Sequence, residues 1–190
     1  MSKKLLICGD SFSATSADAN SWTNMLKQDF SITNLSQRGC SEYKIYKQIA
    51  SQNLSKYDAV IVSHTSPYRL HTLNNPIHIS DPLYKDACFI YNDTKDHSLT
   101  KSDLRPIIDF FEKYFDLDYA EYIHNLTLRD IEHICPINTL HISHLKWENL
   151  HKFSNHIDFN KVFLNERGDV NHYTSKGNQI VYETIKERLV

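Results

Sequence analysis

Residues 3–11 read Lys-Lys-Leu-Leu-Ile-Cys-Gly-Asp-Ser, and this stretch decides the fold of the chain. Its apolar run stops at a glycine and two polar residues, which is the pattern of a buried strand that enters a turn. Only four glycines occur among the 190 residues, where average usage of about 7% would give roughly 13. Glycine this rare marks places where the backbone turns sharply or approaches a ligand. The stretch therefore predicts a strand followed by a functional serine, Ser11.

Working outward from this strand, strand and helix patterns alternate over the first 65 residues. The apolar spacing predicts a helix over residues 21–30, a strand over 31–35, a helix over 41–54 and a strand over 58–63. Further on it predicts helices over 104–115 and from Asp118 to before Pro136, a strand over 137–142 and a final helix over 174–189. This order is typical of a three-layer α/β fold, with a parallel sheet of about five strands and helices on both faces. We expect one domain over residues 1–190, with a long polar insertion around 66–100.

Composition and charge exclude several classes of protein. The net charge of -2 gives no basic footprint for nucleic acid. No run approaches the roughly 18 apolar residues of a membrane span, and the four apolar residues 5–8 fall short of a signal-peptide core of about 7–15. We therefore expect a cytoplasmic protein with neither nucleic acid nor membrane as a partner. The dispersed cysteines indicate reduced thiols: Cys8, Cys40, Cys88 and Cys135.

A second chemical motif, Asp169-Val170-Asn171-His172, lies just before the final predicted helix. A carboxylate and an imidazole separated by three positions on a turn can hydrogen-bond. The aspartate then fixes the ring tautomer and stabilises the imidazolium that forms when the histidine accepts a serine proton. Imidazole is a competent general base near neutral pH. The motif therefore predicts Asp169 and His172 as the partners of Ser11.

Taken in order, these motifs resemble those of the GDSL/SGNH hydrolase family of esterases and lipases. The matching residues are Gly9-Asp10-Ser11 after the first strand, Gly39 after the second, and Asp169 with His172 before the last helix. The blocks span the whole chain. The resemblance implies an SGNH-hydrolase-like, flavodoxin-like α/β/α sandwich that hydrolyses an ester through an acyl-serine, without a cofactor. Ser11 is then the nucleophile, His172 the base and Asp169 the residue that orients it.

One block departs from the family pattern, which usually has Gly-x-Asn-Asp after the third strand. Here residues 63–67 read Ser-His-Thr-Ser-Pro, without the asparagine that completes the oxyanion hole. Loss of one such donor costs about 10²–10³ in rate. The resemblance leaves the amides of Ser11 and Gly39 to hold the oxyanion, with Thr65 as a third donor. Arg69 and Asp10 are assigned to substrate binding, and Asp10 is also expected to brace loop amides.

Several alternatives remain open at the level of sequence. The polar and aromatic stretch 66–100 favours a short acyl or O-acetyl group on a carbohydrate or another small polar substrate. An O-acyltransferase would use the same residues, and a catalytically impaired binding or assembly protein would explain the altered third block. The pair His141 and His144 has no third ligand at a telling spacing, so no metal site is expected.

Overall fold

Five parallel strands form the centre of the fold. The structure is a computed structural model, and it describes residues 2–16, 18–69, 71, 101–146, 151–168 and 172–189. The strands are β1 (Lys4–Gly9), β2 (Ser31–Asn34), β3 (Ala59–Ser63), β4 (Leu140–Ser143) and β5 (His156–Asp158). They form one sheet in the order β2-β1-β3-β4-β5, and every neighbouring pair is parallel. The predicted α/β class is confirmed.

Helices cover both faces of this sheet, as expected for three layers. They are α1 (Trp22–Met25), α2 (Glu42–Ala50), α3 (Lys101–Lys113), α4 (Leu117–Ile134), α5 (Asn160–Asn165) and α6 (Ser175–Leu189). A 3₁₀ turn over Leu26–Gln28 continues α1, and another over Leu54–Lys56 precedes β3.

The two layers of core follow from the alternation of side chains along β1. Leu5 and Ile7 pack in a cluster with Trp22 of α1 and Ile185 of α6. The intervening Leu6 and Cys8 pack in a second cluster, with side chains of α2 and α4. All four strand residues are fully buried. An apolar run without polar alternation is therefore what a strand covered on both faces requires.

Three local details differ from the sequence predictions. Strand β4 begins at Leu140, because a turn closed by Thr139 N–H to the Pro136 carbonyl at 2.9 Å precedes it and Ile137 is 95% exposed. Helix α4 begins one residue earlier than predicted, and its N-cap is Asp116, whose carboxylate accepts from the Tyr119 amide. Residues 143–167 hold β5 and α5, which the sequence did not indicate.

Other predictions lie wholly or partly outside the described residues. Of the insertion 66–100, the structure describes only 66–69 and 71. Cys88 lies outside the described residues, and no disulfide joins Cys8, Cys40 and Cys135 to one another. Within the part of the chain that the structure describes, no helix is long and apolar enough to cross a membrane.

The strand order places a crevice beside the end of β1. The chain leaves β1 for β2 on one side of it and returns to β3 on the other side. In open α/β sheets, ligands bind outside the carboxyl ends of the strands at such a switch point. Gly9 at the end of β1 lies opposite Ser63 at the end of β3. The residues that follow, including Ser11 and Thr65, therefore meet at this edge.

Candidate active site

Ser11 and His172 line one cavity of about 310 Å³ at the carboxyl edge of the sheet. Both residues are partly exposed. No hydrogen bond joins the hydroxyl and the imidazole, although catalytic hydrogen bonds are often long in unliganded sites. The cavity thus brings together the first and last blocks of the chain. Asp169, the predicted orienting residue, lies outside the described residues, so its place beside His172 stays a prediction.

The loop that carries Ser11 is held from below by Asp10. The Asp10 Oδ1 atom accepts from the Phe12 amide at 3.0 Å, and the Asp10 carbonyl accepts from the Ser13 amide at 3.2 Å. The Asp10 side chain is almost completely buried, and burial raises the pKa of its carboxyl. This is the geometry of a carboxylate that braces a turn. The turn leaves Ser11 at its outer side, facing the cavity.

Phe12 follows Ser11 directly in the chain, and its ring packs near that of His172. Its ring stacks on His144 with centroids 4.6 Å apart and 7° between the planes, and it lies 5.6 Å from the ring of His172. The Phe12 carbonyl accepts from Trp22 Nε1 at 2.7 Å. Packing of Phe12 between these groups restrains the backbone next to Ser11 and one face of the His172 ring. This packing of Phe12 could not be predicted from the sequence, because an aromatic residue in a turn has no distinctive spacing.

The second block contributes a loop with left-handed backbone at Gly39, where φ is 69°. Residues with a side chain rarely adopt this backbone conformation, which explains why a glycine occupies the position. Behind the loop, the side-chain amide of Gln48 in α2 forms two hydrogen bonds with the backbone at the end of β1. Gly9 N–H donates to Gln48 Oε1 at 2.8 Å, and Gln48 Nε2 donates to the Gly9 carbonyl at 3.2 Å. These bonds fix the backbone from which Ser11 follows.

Thr65, the predicted third oxyanion donor, has both of its donors engaged within the protein. Its amide donates to Glu42 Oε2 at 3.0 Å, and its hydroxyl donates to Asp10 Oδ2 at 2.8 Å. The same hydroxyl oxygen accepts from Arg69 Nε at 2.9 Å. Thr65 therefore joins the ends of β1 and β3. Its role toward an oxyanion stays a prediction, and in this conformation the hydroxyl proton points to Asp10.

Neither of the two residues assigned to substrate binding lines the Ser11 cavity, and that role stays a prediction for both. Asp10 is buried beneath the loop, and Arg69 lines a different cavity. Among the described residues, the charged side chains that line the Ser11 cavity are Arg38 and Asp18. Arg38 was not predicted from the sequence, although its place next to Gly39 in the second block was a usable signal. Asn178 also lines the cavity, and its Oδ1 accepts from the Trp22 amide at 3.1 Å.

Behind the site, buried histidines form two hydrogen-bonded groups. His64 Nδ1 contacts Glu42 Oε1 at 2.8 Å, and its Nε2 contacts His141 Nδ1 at 2.9 Å. His144 contacts the Ser63 hydroxyl at 3.1 Å and the Tyr173 hydroxyl at 2.6 Å.

Their titration follows from burial. Burial lowers the pKa of His64 and His144 to about 3 and that of His141 to about 2. Burial also raises the pKa of Glu42 to about 7. The His141 and His144 pair predicted from sequence thus divides between two separate groups. Among the described residues, no group of three or more His, Cys, Asp or Glu is arranged to hold a metal ion.

No protein-family model and no curated protein matches this chain. The likeness to GDSL/SGNH hydrolases therefore stays a prediction from the order of the sequence motifs.

Proposed function

We propose that this protein is a serine esterase that hydrolyses a small ester through an acyl-serine intermediate. The observation that carries the proposal is that Ser11 and His172 line one cavity at the carboxyl edge of the sheet, beside the end of β1. A partly exposed serine in a braced turn, with an imidazole that lines the same cavity, provides the two groups that nucleophilic catalysis needs.

In the proposed reaction, Ser11 Oγ attacks the ester carbonyl carbon while His172 accepts the hydroxyl proton. The carbonyl oxygen becomes an oxyanion, which the amides of Ser11 and Gly39 would stabilise. Collapse of this intermediate breaks the ester bond, and the alkoxide leaves with the proton from His172. Water then attacks the acyl-serine and loses a proton to His172, and collapse of this second intermediate releases the acid as His172 returns the proton to Ser11 Oγ. Asp169 would hold the imidazole in the tautomer that both steps require.

The size and lining of the cavity favour a short acyl group on a polar substrate. About 310 Å³ is at the small end of the range of about 300–1,000 Å³ for ligand cavities. Besides Phe12 and Tyr173, most of the described side chains that line it are polar: Ser16, Asp18, Ser21, Arg38 and Asn178. Hydroxyls of a carbohydrate would find hydrogen-bond partners there.

A second candidate is a binding protein with little turnover, and one observation favours it. Both donors of Thr65 are used inside the protein, by Glu42 and by Asp10. If no other group replaces the missing asparagine, two backbone amides alone must stabilise the oxyanion. Removal of one donor from such a site costs about 10²–10³ in rate, so this candidate predicts hydrolysis that is weak or absent.

Labelling with a fluorophosphonate, together with p-nitrophenyl acetate hydrolysis, tests the proposal. The esterase predicts one adduct on Ser11 and loss of hydrolysis in Ser11→Ala and in His172→Ala. Matched controls are Ser55→Ala and His133→Ala, which change exposed residues away from the cavity. Folding of all variants is checked by circular dichroism. Wild-type protein that neither labels nor hydrolyses faster than Ser11→Ala would refute the esterase and favour the binding protein.

A further inference from the structure

A second cavity, of about 420 Å³, lies beside Arg69. It shares no described lining residue with the Ser11 cavity. The start of α2 and the segment after β3 form one side of it, and helices α3 and α4 form the other. Its volume lies within the range of small-molecule sites. It is therefore a distinct candidate site, which the proposed esterase chemistry does not use.

Aromatic rings form the α3–α4 side of this cavity. Phe110 and Phe115 meet edge to face with centroids 6.2 Å apart, and both line the cavity. Tyr114 and Tyr119 also line it, and their side chains are 74% and 63% exposed. When a flat apolar group packs against rings that are this exposed, apolar surface is removed from water and stacking or edge-to-face contacts form.

The opposite side carries a cation. The Nε atom of Arg69 donates to Thr65 Oγ1, and this bond does not use the two terminal nitrogens of the guanidinium. Within the described part of the chain, no carboxylate lies within ion-pair distance of Arg69, although the buried carboxyl of Asp10 interacts with it electrostatically. The two acidic residues among the described lining have partners of their own: Glu42 hydrogen-bonds His64 and accepts from the Thr65 amide, and Asp116 caps helix α4.

We propose that this cavity binds a small aryl carboxylate. Its ring lies among the aromatic side chains, and its carboxylate meets the terminal nitrogens of Arg69. Guanidinium presents parallel N–H groups that match the two oxygens of a carboxylate. A neutral aromatic molecule fills the same space and forms no ion pair with the cation.

The test uses 2-naphthoate and its neutral analogue 2-naphthamide, titrated into Ser11→Ala protein by calorimetry. This background keeps the result separate from esterase activity, because binding here does not depend on the proposed nucleophile. We expect saturable binding of naphthoate about 10-fold tighter than that of naphthamide, as for a hydrogen bond to a charged group. Arg69→Gln reduces this preference to less than about two-fold, while Arg129→Gln, an exposed arginine of α4, leaves it unchanged.

A second variant locates the ligand. Ala120 of α4 lines the cavity, so Ala120→Phe fills it and abolishes binding of both compounds. If that variant fails to fold, nuclear Overhauser contacts from naphthoate to the Phe115 ring in the Ser11→Ala protein give the same information. Equal affinity for the acid and the amide, retention of binding in folded Ala120→Phe, absence of contacts to Phe115, or no saturable binding would each overturn the proposal.

Discussion

The Thr65 hydroxyl donates a 2.8 Å hydrogen bond to the buried carboxylate of Asp10, so the residue next to Ser11 is tied to the segment after β3. The bond joins the ends of two neighbouring parallel strands at the switch point of the sheet. Arg69 extends the connection by donating to the same hydroxyl oxygen. The Ser11 turn is therefore supported by a side chain that belongs to another block of the sequence.

Removal of this hydroxyl is expected to destabilise the protein. In Thr65→Val, Asp10 Oδ2 loses its donor at a buried site, at a cost of about 1–3 kcal/mol in the free energy of unfolding. Thr65→Ser keeps the hydroxyl and loses only a methyl group, about 0.8 kcal/mol. Urea denaturation of the three proteins measures both effects. Thr65→Val keeps a methyl group and lacks only the hydroxyl, so an unchanged unfolding free energy in that variant would show that the bond to Asp10 does not stabilise the protein.

The amide of Gln48 is expected to matter for both stability and reaction. Gln48→Met preserves length and removes the acceptor of the Gly9 N–H and one of the donors to the Gly9 carbonyl, which keeps the Gln37 amide as a donor. We expect a loss of about 1–3 kcal/mol in unfolding free energy. Labelling of Ser11 by a fluorophosphonate should also slow, because the Gln48 side chain no longer holds the end of β1 by hydrogen bonds. Gln179→Met, an exposed change on α6, is the control, and an equal effect there would contradict the prediction.

Gly39 offers a test of backbone conformation. Its φ of 69° suits glycine, and asparagine tolerates this region better than other residues with side chains. Gly39→Ala is therefore expected to cost about 1–2 kcal/mol in unfolding free energy, and Gly39→Asn less than that. Thermal denaturation of both variants checks the order. A larger loss in the asparagine variant would point to crowding of its side chain and away from backbone strain.

Acid is expected to lower the stability of the protein because buried imidazoles stay neutral in the folded state. Burial lowers the pKa of His64 and His144 to about 3 and that of His141 to about 2. In the unfolded chain histidines titrate near about 6.5. Below that pH the unfolded state binds more protons, so the free energy of unfolding falls as the pH falls. Each such proton contributes about 1.4 kcal/mol per pH unit.

Glu42 works in the opposite direction over part of this range. Burial raises the pKa of its carboxyl from 4.5 to about 7, so the folded state holds a proton that the unfolded state lacks between these values. This contribution to stability is fully present below the unfolded pKa and is lost as the pH rises through about 7. Glu42→Gln removes it, and the fall in stability on acidification should become steeper. Urea denaturation at about pH 7.5, 6.5 and 5.5 measures the slopes, and flat stability in both proteins would contradict neutral buried histidines.

The sequence predicted β1, β2 and β3 more closely than β4, and it did not predict β5. The apolar run 58–63 corresponds to β3 (Ala59–Ser63), whose last four residues are buried. Strand β5 (His156–Asp158) is three residues long and exposes both of its end residues, so it has no apolar run to detect. Helix α5 has six residues and buries only Phe163, which is too short for a helical period to stand out.

The order of the strands and helices other than β5 and α5 could be predicted from the sequence alone, as could the places where Ser11 and Gly39 interrupt it. Apolar periodicity and the conformational freedom of glycine act locally, so they can be recognised along the chain. Only the tertiary structure decided that Thr65 donates to Asp10 and that Arg69 faces the aromatic cavity and not Ser11. Such contacts depend on which strands become neighbours and on the direction of each side chain at the strand ends. Hydrogen bonds and packing between distant segments fix those directions, and no local pattern encodes them.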